Sequence, residues 1–213
     1  MEIYKLLAID MLGEQFAALG FLKDHPWANP DELCEACYQP EHRMRSGPYT
    51  VAWKAGSDVI GDFMFTGPPN GVIVTERVKV AFENAGFSGY VGWALEIKEP
   101  AKRRKSHRRP MVSYPYVGPA LWDLMITEYV PIVAEESTLC FEGLCPKCGR
   151  KKYDIDDDAE DLYFVVDRRT WNGCDFMCPH EVRSMFVTER VVELIRENGF
   201  TNVEIEHIGR ISD

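Results

Sequence analysis

Five residues occur twice in this chain, letter for letter, as Val74-Thr75-Glu76-Arg77-Val78 and Val187-Thr188-Glu189-Arg190-Val191. The shift in numbering that carries Val74 to Val187 also aligns Gly61–Tyr90 with Cys174–Val203 without a gap. Inside that window Asp62-Phe63-Met64 matches Asp175-Phe176-Met177, and Gly86-Phe87 matches Gly199-Phe200. Ten identities in thirty positions stand against roughly two expected from ordinary composition. A chain written twice is expected to use one folding unit twice. Whether the copies fold separately or share a sheet is open at this level.

Each copy reads as strand, helix, strand. Gly71 to Val74 is apolar and β-branched, and Thr75 is placed to cap a helix. Val78, Ala81, Phe82 and Ala85 then fall on one helical face, and Gly86 supplies the stop. A strand is expected from Phe87 to Ile97. The second copy runs from Met185 to Val187, caps at Thr188, places Val191, Leu194, Ile195 and Asn198 on one face, and stops at Gly199. Its last strand, Asn202 to Ile208, puts Val203, Ile205 and His207 on one side if it alternates. Further strands are expected at Ile3 to Ile9, Tyr49 to Lys54 and Tyr163 to Val166, with an apolar stretch from Leu121 to Thr127. The class is α+β: two pseudo-repeated strand-helix-strand halves with zinc-knuckle loops. The expected division is 1–97, a basic linker at 98–110, and 111–213.

Two Cys-x-x-Cys pairs sit upstream of the duplicated windows, Cys34/Cys37 and Cys145/Cys148, and both members are offset by one common step. Seven cysteines, an odd number, suit a disulfide framework poorly, and a two-residue gap is the spacing of thiolates on one metal. Cys145-Pro146-Lys147-Cys148-Gly149 has the form of a zinc knuckle, whereas Tyr38 stands where the first pair should have its glycine. A structural zinc takes four ligands, so a second pair must complete Cys145 and Cys148. Cys34 and Cys37 would make a clamp between halves; Cys174 and Cys178, with His180 in reserve, would make a ribbon local to the second. The clamp uses the duplicated features and is the preferred arrangement. Disulfide chemistry needs the first thiol at a helix N-terminus, and the surroundings of Cys145 look like a loop.

A net charge of −10 argues against general affinity for phosphate backbones. The exception is Lys98 to Arg109, which carries Lys98, Lys102, Arg103, Arg104, Lys105, Arg108 and Arg109. No aromatic residue interleaves with these charges, so base stacking is unsupported, although an RNA-gripping or regulatory arm is the second functional alternative. The third is an enzyme using Cys178, His180 and Glu181 around a metal. No phosphate-binding glycine loop, nucleophile elbow or His-Glu-x-x-His helix occurs, and no catalytic residue is assigned. The chain carries neither a membrane-length apolar run nor a secretory leader pattern, and a reducing cytoplasm is the expected compartment.

Ile3-Tyr4-Lys5-Leu6, Cys34/Cys37, Cys145/Cys148 with Gly149, and the Val187-Thr188-Glu189-Arg190 layout together resemble the double-CXXCG motif family. Its bacterial members are assigned as immunity proteins of toxin–immunity systems. The resemblance implies a structural zinc on Cys34, Cys37, Cys145 and Cys148, and a cognate protein toxin as partner. It implies binding and neutralisation without catalysis.

Overall fold

A computed structural model describes residues 1–7, 9, 14–21, 34–36, 50–65, 71–100, 109–149, 151–155, 161–182 and 184–212. The fold is α+β, dominated by sheets, with two α-helices among these residues. Helix α1 (Glu76–Asn84) buries Val78 and Phe82, and α2 (Glu189–Asn198) buries Val191, Val192 and Ile195. Both begin with an acid in the first turn, where the helix dipole favours negative charge. Both end before a left-handed glycine, Gly86 at φ 68° and Gly199 at φ 57°. The starts differ from expectation. Thr75 and Thr188 occupy the cap positions, but neither hydroxyl caps. Each is taken by a buried carboxylate instead, Thr75 donating to Asp62 Oδ1 and Thr188 to Asp175 Oδ1, both at 3.1 Å.

Among the described residues the strands form four sheets. The largest runs β12 (Phe164–Val166), β15 (Glu204–Ile211), β1 (Glu2–Leu7), β14 (Phe186–Thr188), β13 (Phe176–Pro179), β9 (Tyr129–Val130). A four-stranded sheet runs β4 (Phe63–Met64), β5 (Gly71–Thr75), β8 (Leu121–Ile126), β6 (Tyr90–Ala94). A three-stranded sheet orders β2 (Leu19–Phe21), β3 (Thr50–Trp53) and β7 (Glu96–Ile97), while β10 (Leu139–Leu144) and β11 (Lys151–Ile155) pair alone. The segment expected as one strand from Phe87 to Ile97 is thus two, broken at Leu95, whose amide donates to Leu121. In β15 the partner of β1 shifts from His207 to Gly209, so Ile208 bulges out of the alternation and is buried while His207 is exposed. The face expected for Val203, Ile205 and His207 holds as far as His207, which pairs with Tyr4 in register with Ile205 and Leu6; the bulge, invisible in an apolar pattern, breaks the alternation only beyond it.

The environments of the two helices match in detail. Phe63 pairs with Val74 and Met64 with Ile73; Phe176 pairs with Val187 and Met177 with Phe186. Arg77 Nη1 reaches Asp62 Oδ2 at 3.2 Å, and Arg190 Nη1 reaches Asp175 Oδ1 at 2.9 Å. Each arginine also crosses to the far end of the other helix, Arg77 to the Asn198 carbonyl at 2.5 Å and Arg190 to the Ala85 carbonyl at 3.4 Å. Each lies over a phenylalanine beyond that end, Arg77 at 4.8 Å from the Phe200 centroid and Arg190 at 5.2 Å from that of Phe87. The second oxygen of each aspartate is also engaged across the pair, Thr201 N donating to Asp62 Oδ2 at 2.9 Å and Ser88 N to Asp175 Oδ2 at 3.2 Å.

The apolar packing follows. One cluster holds Phe63, Val74, Val78 and Phe82 together with Phe176, Val187, Val191 and Ile195. Phe82 lies 5.3 Å from Phe176, and the cross-pairs Phe63–Phe200 and Phe87–Phe176 stand at 6.2 and 6.3 Å, both tilted 60°. The chain crosses over as well: β1, from the N-terminal end, lies between β14 and β15, while β8 lies between β5 and β6.

Candidate metal centre

The hairpin of β10 and β11 presents Cys145 and Cys148 in its turn. Gly149, at φ 70°, closes that turn by donating its amide to the Cys145 carbonyl at 2.9 Å. A left-handed residue is required there, which is why a glycine follows the second cysteine. The turn aims the amides of Cys148 and then Lys147 at the Cys145 sulfur; they bring its pKa down to about 6, against an opposing contribution from burial. A sulfur surrounded by donors is held toward its thiolate form, the form that binds metal.

Cys34 arrives from far away in the chain. Its Sγ stands 3.7 Å from that of Cys145, and the sulfurs of Cys34, Cys145 and Cys148 all lie within 4.8 Å of one another. Zinc–sulfur bonds of about 2.3 Å in a tetrahedron separate neighbouring sulfurs by about 3.8 Å. The spacing of the donors therefore fits a tetrahedral thiolate metal site. Cys37 and Tyr38, one and two residues beyond Ala36, lie outside the described residues. Beside the sulfurs an ion pair joins the same two loops, Lys147 to Glu35; it holds the Glu35 carboxyl below and the Lys147 ammonium above their ordinary values. Sequence reasoning missed this pair, although opposite charges inside the two Cys-x-x-Cys spacers were there to be read.

The other cysteines are elsewhere. Cys174 and Cys178 are buried in the apolar clusters and do not join the sulfur group. Burial pushes the Cys174 thiol up to about 11, and Cys178 Sγ contacts the Pro179 carbonyl at 3.7 Å. The local ribbon of Cys145 and Cys148 with Cys174 and Cys178 is thus not the arrangement found. Its physical obstacle is that both cysteines are buried among the apolar clusters, apart from the sulfurs of Cys145 and Cys148. Cys140 is exposed on β10.

The residues of the enzyme alternative are occupied structurally. The Glu181 carboxylate accepts the Ile132 amide at 3.2 Å, and burial holds its pKa above the usual range. The exposed His180 ring stacks on Tyr129 with centroids 5.6 Å apart. Among the described residues, Cys34, Cys145 and Cys148 make up the one such group of three, so Cys178, His180 and Glu181 form no metal-holding cluster. Of the basic arm, 101–108 lies outside the described residues, as does most of the acidic run from Asp154 to Asp161; Lys98 pairs with Glu96 at 2.9 Å. No helix among the described residues is long and apolar enough to cross a membrane. No family model matches the sequence, and no curated protein matches it.

Proposed function

We propose that this chain is a zinc-stabilised immunity protein, built from a duplicated unit, that binds and neutralises a cognate bacterial toxin in the cytoplasm. The observation that carries the metal half of this reading is the meeting of Cys34 with Cys145 and Cys148 at tetrahedral spacing. Its Cys-x-x-Cys spacing from Cys34 makes Cys37 the residue assigned as the fourth ligand. A site closed by four sulfurs leaves no position for substrate or activated water, so the ion is structural. It would fasten the Cys34 loop to the β10–β11 hairpin and fix a surface that neither segment could hold by apolar burial alone.

The inhibitory half rests on the likeness to the double-CXXCG family and on charge. A net charge of −10 would steer a basic toxin toward this protein, with carboxylates standing in for the phosphates of its substrate. The test looks for an adjacent reading frame that encodes a secreted toxin and co-expresses that toxin with this chain. Growth of toxin-expressing cells is expected to be restored by the wild-type chain and weakened by Cys145→Ser. Growth arrest unrelieved by wild-type protein, at levels confirmed by blot, would contradict the reading.

A further inference from the structure

We infer that the two units exchange their first strands within one chain, so that each sheet is completed by a strand belonging to the other unit. The inference rests on duplication of the unit but not on its function. The register of the sheets carries it. In the four-stranded sheet Thr75 pairs with Leu121, Val74 with Trp122 and Ile73 with Asp123. In the six-stranded sheet Thr188 pairs with Ile3, Val187 with Tyr4 and Phe186 with Lys5. The repeat step relating Thr75 to Thr188 therefore makes Leu121 the counterpart of Ile3, and Leu124 that of Leu6.

The opposite edge of each strand returns the same correspondence independently. Gly92 pairs with Leu124, and Ile205, the repeat equivalent of Gly92, pairs with Leu6. Flanking side chains agree: Trp122 Nε1 donates to Glu76, while Tyr4, whose pKa is raised first by burial, sits close enough to Glu189 for that charge to add to the rise. The outer strands follow the same plan. Leu19 pairs with Trp53 and Ile132 with Val166, two pairs related by the same step, and β3 beside β7 corresponds to β12 beside the end of β15, both parallel.

Each unit thus begins with a strand, β1 or β8, followed by its remaining elements in one order. In an unexchanged pair β1 would lie between β5 and β6, and β8 between β14 and β15. The reverse is found. Removing either strand would leave two rows of backbone donors and acceptors unpaired in the middle of a sheet, which folded proteins do not tolerate. The halves are consequently held by two interior strands and a shared core, and the metal joins only the peripheral Cys loops.

The test inserts a specific protease site between residues 101 and 108 of the full chain and cuts the protein after folding. Native mass spectrometry and gel filtration are then run with and without chelator. The cut protein is expected to remain one particle under both conditions, its pieces parting only in denaturant. Separation into two folded pieces, with or without chelator, overturns the exchange. Should the insertion impair folding, interstrand amide–Hα NOEs in the unmodified chain decide the matter. They are expected between Tyr4 and His207 and between Gly92 and Leu124; contacts of β1 with β5 and β6 would refute it.

Discussion

The two copies of the repeated sequence share the aspartate–threonine–arginine hydrogen bonds but differ in how they fill space, most sharply where a strand start meets a turn from the other copy. In one crossing Gly61 has no side chain because a Cβ would stand 2.7 Å from that of Asn202, whose Nδ2 donates to the Phe63 carbonyl at 2.8 Å. In the other, the large and small partners have changed places. Cys174 stands in the position of Gly61, and Gly89 in that of Asn202, where a Cβ would fall 2.0 Å from the Phe176 carbonyl. Asn202 and Gly89 both have positive φ, 58° and 95°. The backbone path is therefore common, and each crossing balances volume in its own way. Cys174 is explained by this packing, without any metal.

The largest effect should come from disturbing that balance. Gly89→Ala introduces left-handed strain and a backbone clash and is expected to cost roughly 3 kcal/mol or more in urea denaturation. Gly61→Ala should cost less, because its clash is with a side chain, and Asn202→Gly in the same protein should recover part of the loss. Equal costs at both glycines, with no recovery, would break the comparison.

Next come the two carboxylates. Asp62→Ala and Asp175→Ala each strip the acceptor from a buried threonine hydroxyl, an arginine and a cross-unit amide, and each should lose about 2–3 kcal/mol. The two losses should be similar, since the two networks are. If one aspartate proves dispensable, the networks are alike in geometry only.

The smallest effect belongs to Glu181, whose repeat equivalent in the first unit is Pro68, a residue without a carboxyl. Burial raises the Glu181 pKa in the folded protein, so its protonated form stabilises the fold at low pH and that contribution is lost as pH rises through the folded-state value. Glu181→Gln keeps an acceptor for Ile132 and should gain stability relative to wild type as pH rises above the ordinary carboxylate range. A difference that does not change with pH would remove the burial argument.

Much of this was legible in the residues. The repeat step located both helices and the Gly86 and Gly199 stops, because helix periodicity and left-handed termination are local properties. The cysteine spacing correctly put Cys34 with Cys145 and Cys148, because these belong to the pairs that both copies carry. Other features had no local signal. Thr75 and Thr188 looked like caps, since a distant aspartate that claims the hydroxyl leaves the helix sequence unchanged. The exchange of β1 and β8 is silent for a related reason: equivalent strands present equivalent apolar patterns, and either slot accepts either one. The hairpin around Cys145 was hidden by its mixed charges and by the exposed Phe141 and Leu144, which follow neither helical nor buried-strand patterning.

The measurement that bears most directly on the account is metal bound per chain, taken on protein purified without added metal and again after Cys34→Ser and Cys174→Ser. One zinc per chain is predicted for wild type and for Cys174→Ser, with loss of the ion, or binding weakened at least tenfold against a chelator, in Cys34→Ser. Zinc retained by Cys34→Ser but lost from Cys174→Ser would contradict it.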